Sequence, residues 1–570
     1  MFFGGCVNYK SKYLSSAFLL LLSSVIVKII GAVYKIPLNA YIGAVGRGYF
    51  ASAYNLYLPF HALIMGAFPI ALSKLTGKYN AQGNSEAVVS IKAAADKLFL
   101  KVGLIGMAVI LLISKPYCRY IAASDKGLLC ILVLAPSILF SSLASSYRGY
   151  YEGFMNMKPT AVSQTIEALF KMVFGLLFAK LSMRLLYSSY ISNQTVLGKY
   201  VSNDAEAFAM IYPVTSAAAV LGVTFGCFLS LVYVFIYHQI NKPALTVKNG
   251  GKSNHYQKEL LSFSFPIMIS CAVQSVFQFL DTASVQKALS MINPDILKNM
   301  YSESIALSGT AVNDINAYVY GVLSNANDFK NLVPGITMAL GVCAVPAISA
   351  AYETNNKEHL STLISSIIKY TLLISCAGGM LLALNSKEIL KLFFEASAPD
   401  IVASCDELIK YFALSVPVYS LAGTAVFCVQ ATGNAKKSIA PYVVSGIIRV
   451  ILNILLVSNE KFVLFGCVIS GAVGYLVMFI WNYRIIIKAC RVKTHIIKSI
   501  ILPSAVSVIA YFILLFAQKN ILFAENYQIY LLIKSGVFCL VFCMLCFLLK
   551  VLSFSEIFCL FKPKKNGLNT

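Results

Sequence analysis

The sequence is short of acid. Its 570 residues hold 23 aspartates and glutamates against 46 lysines and arginines, a net charge of +23. Only 12% of residues are charged, about half the share of an ordinary soluble protein (roughly 25%). There is one tryptophan, and the five histidines are scattered, with His238 and His255 in or beside one basic loop. No glycine-rich phosphate loop follows a strand pattern, so no ATP-binding module is expected. No pair of acids suits general acid–base work near a membrane face. The chain is therefore not expected to be an enzyme. The alternation of an outer-membrane barrel is also missing. Fifteen cysteines are present, mostly inside apolar runs. Cys543 and Cys546 form a CxxC within CLVFCMLCFLL and read as small buried apolar groups rather than metal ligands.

The sequence does have apolar length. Hydrophobic residues make up 58% of it, mean hydropathy is +0.76, and the apolar runs approach the ~20 residues that cross about 30 Å of hydrocarbon. An all-α polytopic membrane protein is expected. Fourteen helices are placed near 14–36, 49–73, 95–114, 127–148, 160–181, 210–238, 260–287, 318–350, 361–384, 407–431, 438–458, 463–483, 497–517 and 528–552. Lys10 and Lys12 precede the first run, but no small-residue cleavage site follows and Lys28 interrupts it, so it reads as a retained helix. The excess of base falls on alternate loops: Lys74, Lys78, Lys92 and Lys97; Lys242, Lys248, Lys252 and Lys258; Arg484, Lys488, Arg491, Lys493 and Lys498; and the tail Lys562, Lys564 and Lys565. The loop with Glu395, Asp400, Asp406 and Glu407 is acidic. By the positive-inside rule both termini face the cytoplasm, and no nucleic-acid partner is needed to explain the charge.

The chain also repeats itself. FPIALS at 68–73 corresponds to VPAIS at 345–349, GMAVILLISK at 106–115 to GMLLALNSK at 379–387, and Lys171 in LFKMVFGLL to Arg449 in IIRVILNILL. The order is kept at a near-constant offset. Two parallel six-helix lobes are expected, 1–240 and 241–490, with a polar external insertion near 288–317. Two further helices and a basic cytoplasmic tail fill 491–570. Pro69 and Pro346, with Pro59 and Pro334, sit in equivalent helices and are candidate bends for gating.

Charges inside apolar helices mark function by default. In VIVKIIGAVYKIPL, Lys28 and Lys35 share one helix face. Lys28 lies about 21 Å into its helix at 1.5 Å per residue, too deep for snorkelling to a near interface. Lys171 follows Glu167 by four residues, and Arg148 precedes Glu152 by four, so local ion pairs compete with function at both. Arg449 has no acid nearby in its helix. Lys28, Lys35, Arg449, Lys171 and Arg148 are candidate substrate-binding residues. Asp281, in QSVFQFLDTASVQKAL, and Glu167 are candidates for ion coupling or for counter-ions.

Lys28-Ile-Ile-Gly31-Ala-Val-Tyr-Lys35-Ile-Pro37-Leu, Ile42-Gly43, Gly46-x-Gly48, Ala53-Tyr54 and Pro69-x-Ala71-Leu-Ser73-Lys74 follow in an order that resembles the stage V sporulation protein B family. That family stands beside the lipid II flippases in the multidrug/oligosaccharidyl-lipid/polysaccharide exporter superfamily. The resemblance covers most of the chain. Ala44, Val45 and Arg47 depart from the family pattern of acids and an apolar residue, at what is expected to be the first external connection. The resemblance implies a MATE-like fold and transport of an undecaprenyl-pyrophosphate-linked saccharide, a lipid II-like precursor, to the outer leaflet. Membrane lipids and cell-wall synthases are the implied partners. No cofactor is expected; the energy would come from Na+ or H+ coupling or from membrane potential. The competing expectations are a cation-coupled multidrug exporter, which would line its cavity with acids, and a scaffold for wall synthesis that moves nothing.

Overall fold

A computed structural model describes residues 4–242, 253–308, 312, 314–354, 357–395, 398–490, 500–518, 527–549 and 551. The basic tail and the loop cations Lys248, Lys252, Arg491, Lys493 and Lys498 lie outside the described residues.

The described chain is almost entirely helical: α1 Gly4–Ala81, α2 Ser85–Tyr120, α3 Leu128–Gly153, α4 Lys158–Asn193, α5 Asp204–Ile240, α6 Ser253–Leu289, α7 Pro294–Met300, α8 Ser302–Leu307, α9 Ile315–Lys330, α10 Leu332–Glu353, α11 Lys357–Leu384, α12 Ser386–Phe394, α13 Pro399–Ala431, α14 Ile439–Val457, α15 Leu464–Cys490, α16 Leu502–Gln518 and α17 Tyr527–Leu548. A two-residue hairpin, Thr195–Val196 with Lys199–Tyr200, links α4 to α5. Among the described residues, nine helices are long and apolar enough to cross a membrane. Every one of the fourteen expected segments falls on a helix.

Two expected boundaries differ. The first two segments are not separated by a loop. They join in α1, where the break is the single residue Gly43, at φ 59° and ψ −177°. Only glycine reaches that region without strain, so one residue turns the chain and helix resumes at once. Ala44, Val45 and Arg47 are consequently buried helical residues rather than loop residues. The expected helix over 318–350 is divided into α9 and α10 around Asn331. Pro334, in the first turn of α10, has no N–H for an i−4 carbonyl, which accounts for the interruption. The expected polar insertion holds the short helices α7 and α8.

The chain forms two compact units. One comprises 1–324, 396–401 and 453–461, the other 325–395, 402–452 and 462–570. In the first, α1, α2, α3 and α6 share a core of Phe68, Leu72, Leu75, Ile91, Phe99, Tyr150 and Leu260. Burying such side chains contributes roughly 1.5–3 kcal/mol each in water; within a bilayer close packing takes over much of that role. Small residues therefore set the tightest crossings. Ala44-x-x-x-Gly48 of α1 meets Ala317-x-x-x-Gly321 of α9: a Cβ on Gly48 would lie 1.9 Å from the Ala317 carbonyl oxygen, and one on Gly321 1.9 Å from that of Ala44. Polar side chains seal the same crossing. Asn55 donates to Tyr320 at 2.6 Å, Gln286 of α6 to Ser52 at 2.6 Å, Tyr117 of α2 to Gln286 at 2.5 Å and Tyr49 to Asp314 at 2.9 Å.

In the second unit, α10, α11, α13 and α15 surround Ile348, Ile364, Leu372, Ala425, Val429 and Phe479. The trailing helices α16 and α17 close on α11 through Leu373, Val506 and Cys546 and through Leu384, Ala510 and Phe538. Buried Lys534 of α17 donates to the Leu384 carbonyl at the end of α11 and stands 3.6 Å from Glu388, satisfying a helix C-terminus with a cation.

Candidate functional site: a basic and aromatic stripe

The α4–α5 crossing fixes the site. Gly222-x-x-x-Gly226 of α5 lets the two backbones touch: a Cβ on Gly222 would lie 2.2 Å from the Gly175 nitrogen, and one on Gly226 2.6 Å from the Glu167 carbonyl oxygen. Ser163, Glu167, Lys171 and Gly175 recur every four residues on α4 and so share one face. That face meets α1, since a Cβ on Gly175 would lie 2.6 Å from the Tyr34 hydroxyl.

Lys171 is seated on two tyrosines of α1. Its Nζ lies 4.8 Å from the Tyr54 ring and 5.7 Å from the Tyr34 ring, within cation–π range. Tyr34 donates to the Ala219 carbonyl at 3.4 Å. The buried Tyr54 hydroxyl has no hydrogen-bond partner among the described residues.

Arg148 is buried. Its Nη2 donates to Glu167 at 3.0 Å and to Ser230 at 2.7 Å, and its Nε to Ser163 at 2.8 Å. The expected partner within α3, Glu152, instead accepts from Thr160 at 2.7 Å. Geometry explains the exchange: Arg148 points into the α3–α4–α5 interior, where a carboxylate and two hydroxyls converge, and Glu152 sits at the α3 end. The sequence reading missed His61, whose ring is 5.1 Å from that of Tyr57 and which lies in the field of Glu167, Arg148 and Lys171. It also missed Arg47 as a site residue. His61 was legible as an embedded titratable group fourteen residues from Arg47 on α1.

The remaining candidates lie apart from this stripe. Lys28 is exposed on α1, fifteen residues before the Gly43 break, and Lys35 is half-buried. Asp281 accepts from Asn453 Nδ2 at 3.0 Å, and the same amide reaches the Asp281 carbonyl at 3.1 Å. Pro69 is buried in α1 with its backbone against α3: a Cβ on Gly149 would lie 2.7 Å from its carbonyl oxygen. Pro346 lies within α10, its side chain outside the described residues. In the second unit Arg449 is buried. Its Nη1 donates to the Tyr475 hydroxyl at 2.9 Å, and its guanidinium lies 4.8 Å from the Tyr475 ring, which is itself 4.4 Å from that of Tyr419. A Cβ on Gly474 would lie 2.3 Å from Arg449 Cγ, so glycine makes room for the arginine. Among the described residues, no three histidines, cysteines or acids gather to hold a metal ion.

Nine described helices long and apolar enough to cross a membrane, packed through small residues, define a multi-pass helical membrane protein. Comparisons with known proteins agree with that class. A model of polysaccharide biosynthesis proteins matches residues 13–203, and a MatE model matches 306–455. Lipid II flippase MurJ of Bacillus subtilis (strain 168) is 24% identical over 529 residues, 88% of each chain. Stage V sporulation protein B of the same organism is 21% identical over 505 residues, 88% of this chain and 89% of that one. A solved lipid II flippase MurJ in an inward closed conformation matches with a TM-score of 0.66 at 15% identity, covering 96% of this chain and all of that one. An inward-facing MATE family multidrug resistance transporter of the MOP superfamily gives 0.58 at 15% identity, over 80% and 95% of the two chains. Over most of its length the chain is similar to lipid II flippase MurJ and stage V sporulation protein B, and it shares its fold with solved MurJ and MATE transporters.

Proposed function

We propose that the protein is a flippase. It carries an undecaprenyl-pyrophosphate-linked saccharide, a lipid II-like peptidoglycan precursor, from the inner to the outer leaflet of a bacterial cytoplasmic membrane by alternating access. The observation that carries this reading is Lys171 held over Tyr34 and Tyr54. That places a cation on an aromatic surface inside the helix bundle, and a pyrophosphate crossing a low-dielectric core needs positive charge along its path. Lys28, Lys35, Arg148 and Arg449 extend the basic lining in this reading, with Glu167 as counter-ion and Asp281 as a coupling or counter-ion group. Both termini face the cytoplasm, as the loop charges require. Energy comes from Na+ or H+ coupling or from membrane potential, and the released lipid is taken by cell-wall synthases. The alternative cargo, an organic cation, fits a basic stripe poorly.

Complementation tests the reading. In a bacterium depleted of its own lipid II flippases, wild type is expected to restore outer-leaflet lipid II. Lys171→Gln, at matched membrane abundance, is expected to fall about tenfold or more, the loss of one contact to a charged group worth roughly 1.5–3 kcal/mol. A well-expressed wild type that restores nothing overturns lipid II as cargo. Full restoration by Lys171→Gln removes Lys171 from the mechanism.

A further inference from the structure

A cavity of about 190 Å³ lies beside the Gly43 break and shares no residue with the basic stripe. Asn39 and Gly43 of α1, Phe208 and Tyr212 of α5, Tyr318 of α9 and Asp400 of α13 line it, and all six fall within the first compact unit. The fold builds its walls. The left-handed backbone at Gly43 turns α1, and a Cβ at that position would lie 3.2 Å from the Tyr212 ring, so glycine lets this tyrosine close against α1. Tyr212 is 5.2 Å from Phe208, and Phe208 is 5.8 Å from Tyr187. One wall is therefore a run of rings carried by α4 and α5. Tyr318, 6.2 Å from Tyr301, brings a further ring from α9.

Charge and hydrogen-bonding character select the ligand. Asp400, from the acidic loop of the sequence, is buried. Among the described residues that line the cavity it is the one charged side chain; lysine, arginine and histidine are absent. A phosphate would meet repulsion there, which sets the cavity apart from the basic stripe. The Asn39 amide and the tyrosine hydroxyls both donate and accept, and a carboxylate offers about four acceptor positions, enough to serve the protein and a ligand together. An ammonium only donates. A sugar hydroxyl does both, so it matches a mixed lining better, and the ring faces suit the apolar C–H face of a pyranose. The volume is below the ~300–1,000 Å³ of pockets for drug-sized molecules and fits one ring rather than a chain of them.

We propose that this cavity is a subsite for one neutral sugar ring. The proposal rests on the flippase reading above and divides the headgroup of the cargo: phosphate goes to the basic stripe, sugar to the aromatic and acidic cavity. In the orientation proposed above, Gly43 is on the outer side, so the sugar is held where the cargo leaves.

The test uses the full chain in phosphatidylcholine nanodiscs and N-acetylglucosamine as probe. Saturation-transfer NMR reads binding, and the melting temperature is measured alongside. Wild type is expected to transfer saturation to the sugar. Phe208→Ala and Asp400→Asn are each expected to weaken binding about tenfold, equivalent to 1.4 kcal/mol. Wild-type affinity in either folded variant overturns the subsite. Displacement of the sugar by methylammonium at equal concentration shows an ammonium pocket and also overturns it. Absence of sugar binding by wild type does the same, and the flippase reading is then decided separately by the lipid II complementation above. Should either variant fail to fold, Met183→Trp decides, because it fills the cavity from α4 without removing a ring or the carboxylate. Lost binding at an unchanged melting temperature supports the subsite, and unchanged binding overturns it.

Discussion

Arg148 and Arg449 are both buried arginines in apolar helices, yet they are held by different chemistry. Arg148 is bonded to a carboxylate and two serine hydroxyls. Arg449 rests on Tyr475, through its ring and its hydroxyl. A carboxylate attracts the cation by its full charge, whereas a ring face does so through its quadrupole. Arg148 therefore reads as the brace of the first unit, fastening α3 to α4 and α5. Arg449 fastens α14 to α15 through an aromatic side chain. Burial alone does not distinguish the two; the chemistry of these contacts does.

Breaking the brace should have the largest effect. Arg148→Met leaves the half-buried Glu167 without its guanidinium, a loss approaching the ~3–5 kcal/mol of a fully buried pair. A drop in melting temperature and in membrane abundance is expected, and the double variant Arg148→Met/Glu167→Gln is expected to regain much of it. If the double variant is as unstable as the single, the ion pair is not what Arg148 contributes. Arg449→Met sharpens the contrast. It loses one cation–π contact and one hydrogen bond, about 1–3 kcal/mol together, so the fold should survive. Transport measured in proteoliposomes is expected to fall more steeply than stability does. A fall in the melting temperature as large as that of Arg148→Met would erase the distinction. The smallest effect belongs to Tyr475→Phe, which keeps the ring and removes the hydroxyl, worth about 0.5–1.5 kcal/mol. Its transport should lie between wild type and Arg449→Met.

Much of this was readable in the sequence because the bilayer demands it. Apolar runs of fixed length gave the helix order, and Lys171 and Arg449 stood out as charges in such runs. What was not readable came from tertiary choice. Gly43 looked like part of a connection; its left-handed backbone and the close packing of Gly46 and Gly48 turn that stretch into helix. Spacing alone paired Arg148 with Glu152, four residues on. The fold pairs it with Glu167, nineteen residues away on the next helix, because Gly222 and Gly226 draw α4 against α5. Arg47 was visible as a departure from the family pattern, and the fold buries it in helix beside Phe50. Asp281 was legible as an embedded acid, while its amide partner, Asn453, lies 172 residues further on.

That last distance has a consequence for biogenesis. The first unit is not complete at Ser324; it also needs 396–401 and 453–461, where Asn453 meets Asp281. At a synthesis rate of about 5–20 residues per second, the chain between Ser324 and Asn453 takes on the order of ten seconds to emerge. During that interval Asp281 has been made while Asn453, its amide donor, has not. Synthesis and folding of the two units are thus interleaved in time, and an arrest of translation between the two positions would leave Asp281 without this amide.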